Sequence, residues 1–215
     1  MSDMSIPADR RSRKRLATRQ SISDAATMLF IERGFDHVTV DEIAAAADVG
    51  RMTVFNHFPR KEDMLFDRDE EGRAMLRAAL RQREPGVAPI EAYRLLAHRL
   101  VADRSPAVEF SARSQRFIAT VEGSETLKAR ARAIRDELAN VVTVALSESA
   151  GRESVDADAR LAGNLLLAAW TVAFIEAHSI FRQTRDADKA SAAFLAIIDR
   201  ASIGIKAAMA GTPYA

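Results

Sequence analysis

This 215-residue sequence predicts an all-α protein of about nine helices, and three observations predict it. Apolar residues recur at three- and four-residue steps along most of the chain. No stretch alternates apolar and polar residues with the two-residue period of a strand. Pro59, Pro85, Pro89 and Pro106, with Gly34, Gly86, Gly123 and Gly151, stand at the ends of the periodic runs, where helices stop. Three segments follow: a basic amino-terminal arm over residues 1–15, a small three-helix domain over 16–60, and a larger helical domain over 61–215.

The first helix is expected over residues 13–33, with Ile22, Ala25, Ala26, Leu29 and Phe30 on one face and Gly34 as its stop. Thr39 and Glu42 stand at capping-box spacing: the threonine hydroxyl can accept from the Glu42 amide while the glutamate reaches back to the amide of Thr39, so a second helix starts there. Val40 and Ile43 give it an apolar edge, and Ala44 to Ala47 are small enough for another helix to cross closely. Asp48 can turn the corner, because aspartate is among the few residues that visit left-handed backbone angles. A third helix runs from Arg51 to about His57 and ends before Pro59, which pushes its predecessor out of the helical region. Residues 60–82 read as a fourth helix, with Glu62 and Asp63 in the first turn where negative charge suits the dipole.

Glu84, Pro85, Gly86 and Pro89 make the first long break. The fifth helix uses Ile90, Tyr93, Ala97, Leu100 and Val101; the sixth follows Pro106 with Phe110, Phe117, Ile118 and Val121 and ends near Gly123. The seventh, residues 125–149, carries Leu127, Ile134, Leu138, Val141 and Leu146 inside. The eighth, residues 156–182, is apolar on most sides from Leu161 to Phe181, and the ninth, residues 187–209, buries Phe194, Ile198 and Ile205. A helix apolar all round must be covered from both sides. Asn164, Thr171, Glu176 and His178 interrupt the eighth, so burial in protein fits it better than a bilayer and no membrane partner is expected.

Composition narrows the function. With 48% apolar and 28% charged residues the chain can build an ample core. Having no cysteine excludes disulfides, thiolate zinc sites and cysteine nucleophiles together. His37, His98 and His178 are scattered singly without ligand spacing, so neither metal nor cofactor is expected. No G-x-S-x-G elbow, phosphate loop or H-E-x-x-H occurs, which argues against an enzyme. The start, MSDMSIPADRRSRKR, lacks an apolar signal core, so a cytoplasmic location is expected. A net charge of +1 does not advertise a polyanion partner. Yet Arg10, Arg11, Arg13, Lys14, Arg15 and Arg19 fall together with no acid among them. Such a run is either a solvated tail or an arm that follows phosphates beside a reading helix; its position favours the arm.

Two short helices at a tight corner, the second exposing Arg51, Met52, Asn56 and His57 around a buried strip of Val49, Val54 and Phe58, fit a DNA major groove. From about Leu16 to Leu65 the chain resembles the amino-terminal helix-turn-helix domain of the TetR family of bacterial transcriptional repressors. The resemblance is carried by Gly34, Phe35, Val38, Thr39, Val40, Ile43 and Ala44, then by V-x-x-x-T-V-F-x-H-F-P-x-K-E from Val49 to Glu62. It implies an all-helical repressor with a carboxyl-terminal ligand-binding and dimerisation domain. It implies a homodimer built by the last two helices, reading an inverted-repeat operator in double-stranded DNA and released when a small, largely hydrophobic effector moves helix four. By resemblance Thr39 meets a phosphate, Arg51, Met52 and Asn56 face base edges, and Thr53, Phe55 and His57 line the backbone. Lys61 meets a phosphate at the start of helix four, and Arg13, Lys14 and Arg15 serve from the arm. Arg51 best suits guanine, whose O6 and N7 match its fork.

Three positions depart from the family pattern: Gly50 stands where serine often caps the reading helix, Phe55 where tyrosine is usual, and Arg60 where a serine often caps helix four. Phe55 keeps an aromatic core role on this reading. For the effector, Phe110, Arg113, Phe117, Trp170, Phe174 and His178 are the candidate lining residues, against the plainer reading of core packing and a solvated helix face. The competing function is a dimeric helical adaptor without sequence-specific DNA binding. It explains the carboxyl-terminal helices equally well, but not a basic run joined to a groove-sized helix.

Overall fold

A computed structural model describes residues 6–215. Among them are nine α-helices and no strand: α1 (Ile6–Arg33), α2 (Val40–Ala46), α3 (Arg51–His57), α4 (Asp69–Arg81), α5 (Pro89–Ala102), α6 (Ala112–Glu122), α7 (Glu125–Ser149), α8 (Ala157–Thr184) and α9 (Ala187–Ala208). The all-α expectation holds. The chain divides into two compact units, one of Met1–Asp67 with Phe117–Arg130, the other of Arg68–Arg116 with Ala131–Ala215.

In the amino-terminal unit α1 begins earlier than its periodicity predicts. Residues 1–5 of the expected arm lie outside the described residues, and the remainder, Arg13, Lys14 and Arg15 included, is helix rather than a separate extended arm. Arginine, lysine and alanine are good helix formers and nothing in this run breaks the ladder. Gly34 ends α1 at φ 85°, a left-handed angle that glycine takes without strain. Phe35 then folds back on Phe30 with ring centroids 4.9 Å apart. The capping box forms as the spacing predicts: the Glu42 amide donates to Thr39 Oγ1 at 3.3 Å and the Thr39 amide to Glu42 Oε2 at 2.8 Å. Asp48 turns the corner at φ 52°. The core is built on Ile22, Phe30, Ile43, Val54, Phe58 and Met64, none more than 1% exposed. Ser124 and Arg130 tie their segment into this unit, the serine hydroxyl donating to Asp36 at 3.0 Å and the guanidinium to Asp63 at 2.9 Å.

The single fourth helix expected over 60–82 is not formed. A 3₁₀ turn at Lys61–Met64 and a run of turns precede α4. Asp63 is gripped by Arg60 and Arg130, and the consecutive Met64 and Leu65 are both drawn into the amino-terminal core, which bends the chain away from a straight α-path. Similarly α6 starts only at Ala112, because Ser105 caps a short 3₁₀ turn at Pro106–Val108 and Ser111 and Ser114 exchange amide-to-hydroxyl bonds at the true start.

The carboxyl-terminal unit is organised by α8 and α9, which fold back on each other through Arg185 at φ 58°. Alone among the described helices, α8 is long and apolar enough by composition to cross a bilayer. It packs instead through small residues: Ala159, Ala162, Ala173 and Ala177 are fully buried. Close packing peaks at Gly163, where an added Cβ would come within 3.1 Å of the Ala139 carbonyl and the Thr143 amide of α7. Backbone cannot yield as a side chain can, so Gly163→Val is expected to destabilise by at least about 1–3 kcal/mol, read as a lowered thermal midpoint. At the end of the chain the fully buried Tyr214 donates its hydroxyl to Asp156 Oδ2 at 2.7 Å, while Asp156 Oδ1 caps α8 at the Ala159 amide, also at 2.7 Å.

Candidate nucleic-acid interface

Helix α3 is rooted by Val54 and Phe58, both 0% exposed, and turns Arg51, Met52, Phe55 and Asn56 outward. Thr53 and His57 are half-buried at its edges. Phe55 is 37% exposed rather than core, because Phe58 already fills the place an aromatic ring could take beneath the helix. Met52, at 70% exposure, is a large apolar side chain offered to solvent. A guanidinium, a carboxamide and a thioether are together suited to guanine, adenine and the thymine methyl in a major groove. Gly50 leaves the start of α3 without a side-chain cap.

Contacts from α1 and α2 hold this face. Arg19 of α1 donates to the His57 carbonyl at 2.5 Å and lies over the Phe58 ring at 4.0 Å, so it fastens the last turn of α3 to α1. It falls three and four residues before the buried Ile22 and Ser23, the signal that it shares their inward face. Arg51 is met by Asp41 of α2 at 2.8 Å and stacks at 5.6 Å from the Phe55 centroid. Both partners of that ion pair are more than half exposed, so it is weak and the guanidinium is free to exchange Asp41 for a base.

Two expected phosphate ligands are engaged within the fold. The Thr39 hydroxyl accepts from the Glu42 amide and donates to Glu42 Oε2 at 2.8 Å. The Thr39 backbone amide, with Arg33, holds the Glu42 carboxyl down to about 2. The Lys61 ammonium donates to the carbonyls of Phe35 and Val38 at 2.8 and 2.9 Å and lies 4.1 Å from the Phe35 centroid. It thereby secures the connection between α1 and α2, with one proton left for a phosphate. Lys61→Met is accordingly expected to lose about 1–3 kcal/mol of stability by leaving those carbonyls unpaired, and to flatten the salt dependence of DNA binding by about one unit. Denaturant titration and binding at several salt concentrations read the two effects separately.

His57 and His178 are both held below the ordinary 6.5, His57 by partial burial and then by Arg15 and Arg19, His178 by burial and then by Arg182. His178 Nδ1 accepts from Gln115 Nε2 at 3.1 Å, which places its own proton on Nε2. Each imidazole binds a proton less readily folded than unfolded. Stability is therefore complete above the unfolded value and falls as pH drops from about 6.5 toward the lowered folded values. Urea midpoints taken from neutral pH down to about pH 5 should decline monotonically.

The effector candidates separate in space. A cavity of about 300 Å³ in the carboxyl-terminal unit is lined by Met75 and Leu76 of α4, Ile134 and Leu138 of α7, and Trp170 and Phe174 of α8. Phe110 and His178 do not line it: Phe110 is core, 5.0 Å from the His178 ring and 6.0 Å from Phe194. Arg113 is on the exposed side of α6, and Phe117 belongs to the amino-terminal unit, edge-on to Phe66 at 5.9 Å. Met75, Ile134 and Leu138 carry nothing in the sequence to set them apart from core. Among the described residues no three metal-ligating side chains cluster.

Comparison with known proteins bears on the first unit most directly. The profile of bacterial regulatory proteins of the tetR family matches residues 22–67. The HTH-type transcriptional regulator TcmR of Streptomyces glaucescens is 35% identical over 82 residues, 38% of this chain and 36% of that protein. The HTH-type transcriptional repressor LfrR of Mycolicibacterium smegmatis is 34% identical over 94 residues, 43% of this chain and 46% of that protein. The matched part therefore spans less than half the length of either relative. Over nearly the whole chain the fold is that of the SmeT–triclosan complex, with a TM-score of 0.57 at 18% identity, covering 87% of this chain and 91% of that one. Residues 22–67 of the chain thus resemble the tetR family of bacterial regulatory proteins.

Proposed function

We propose that this protein is a cytoplasmic transcriptional repressor that binds an inverted-repeat operator as a homodimer and lets go when a small molecule enters its carboxyl-terminal unit. The observation that carries this reading is α3, buried through Val54 and Phe58 and presenting Arg51, Met52 and Asn56 outward. On this reading those three side chains face base edges. Thr53, Phe55 and His57 follow the sugar-phosphate backbone, with Thr39, Lys61 and the exposed Arg13, Lys14 and Arg15 of α1 beside them. One seven-residue helix meets few bases, so two copies on a twofold-symmetric site supply the selectivity.

Support for self-association comes from the last two helices, which leave Leu161, Val172, Ile175 and Ile203 between 49% and 69% exposed. A monomer in sedimentation at micromolar concentration would contradict the dimer. Support for effector control comes from α4, which supplies Met75 and Leu76 to the cavity wall. Because α4 begins only at Asp69, the 3₁₀ turn that carries Lys61 is not part of it, and displacement of α4 is not displacement of Lys61 as one rigid rod. An effector that weakens DNA binding about tenfold to a hundredfold must favour the non-binding conformation by roughly 1.4–2.8 kcal/mol.

Gel retardation against fragments of the source genome tests the reading. Selective retardation by an inverted repeat, reduced by a small molecule, supports it; absence of binding even at low salt supports a helical adaptor instead.

A further inference from the structure

We propose that the cavity between α4, α7 and α8 takes a small, flat, mainly apolar molecule carrying one acidic group, with that group at the Arg135 mouth. This rests on reading the cavity as the effector site and adds the chemistry of its ligand. At about 300 Å³ the space lies at the small end of ligand pockets, enough for one or two rings. Its walls are aliphatic from α4 and α7 and aromatic from α8. Trp170 and Phe174 stand 6.3 Å apart at 49°, and Trp170 is braced from behind by Phe194, edge-on at 5.6 Å. A fixed aromatic corner favours a flat partner.

Charge decides the remaining class. Among the described residues no aspartate, glutamate or lysine lines the cavity, and its polar groups are Thr171, Arg135 and the indole N–H of Trp170. The Thr171 hydroxyl already donates to the Leu167 carbonyl at 2.7 Å, so toward a ligand it can only accept. A cation inside would lose its hydration without gaining a counter-charge, and the cation–π attraction of the aromatic corner offsets only part of that loss, which disfavours amines and quaternary ammonium compounds. A single carboxylate has a partner. The Arg135 guanidinium is half exposed and is held by its chain neighbour Asp136, at 2.7 Å. Such an exposed pair is weak, and a ligand carboxylate can replace it with two parallel hydrogen bonds. One arginine matches one negative charge.

Trp170 is the chain's single tryptophan, so its emission reports on the cavity alone. The test titrates the protein, free of DNA, with biphenyl-4-carboxylate, biphenyl-4-carboxamide and biphenyl-4-ylmethylammonium, following heat and Trp170 emission. The carboxylate should bind at least about tenfold more tightly than the ammonium and change Trp170 emission. Arg135→Gln should bring the carboxylate down to the carboxamide's affinity and leave the carboxamide unaffected. Equal or tighter binding of the ammonium overturns the proposal, as does an undiminished carboxylate advantage in Arg135→Gln, or silence of Trp170 toward all three at millimolar concentration. Carboxylate binding that leaves operator affinity unchanged would instead remove the effector reading while the ligand chemistry stands.

Discussion

Phe58→Ala should remove about 3–5 kcal/mol of stability and abolish operator binding with it. Phe58 is fully buried, ends α3, and carries the Arg19 guanidinium on its ring face. Truncation leaves a cavity beneath α3 and withdraws the surface that steadies Arg19, which in turn holds the His57 carbonyl. The helix then loses its floor and its far anchor together. Phe55→Ala, three residues earlier on the exposed side, should change the denaturation midpoint little. Equal losses in the two variants would show that burial does not separate these rings as described.

Arg51→Ala should leave the protein folded and erase its choice of site. The side chain contributes nothing to the core, and its contacts with Asp41 and Phe55 are exposed ones. In a groove it can offer guanine two hydrogen bonds, worth about 1–3 kcal/mol of discrimination per half-site, and the twofold operator proposed above would count that loss twice. Selection of bound fragments from a random DNA pool should therefore lose its guanine preference at one position in each half. Unchanged selection would refute the role, whereas loss of all binding would mean that Arg51 serves general affinity.

Local features were legible in the sequence. The Thr39–Glu42 box, the turn at Asp48, the stop at Gly34 and the uncapped Gly50 each depend on residues within a few positions of one another, and the structure has all four. What the sequence hid was decided by distant partners. Arg130 lies 67 residues from the Asp63 it holds, so the break ahead of α4 could not be read from residues 60–82 alone. Phe55 and Phe58 look alike as symbols, and only packing tells that one ring is floor and the other surface. The cavity was legible only in Trp170 and Phe174, since the rest of its lining is ordinary aliphatic residues with Thr171 and Arg135, which look like any helix surface in the sequence.

Arg19 touches no position expected to meet a base, yet the aim of α3 runs through it. If the proposed function holds, genetic screens for lost DNA binding should therefore return lesions at residue 19 alongside those at residue 51, with the same phenotype. Only the first class would melt early, and lysine there would not rescue it, since a single ammonium cannot both lie flat on a ring and fork toward a carbonyl.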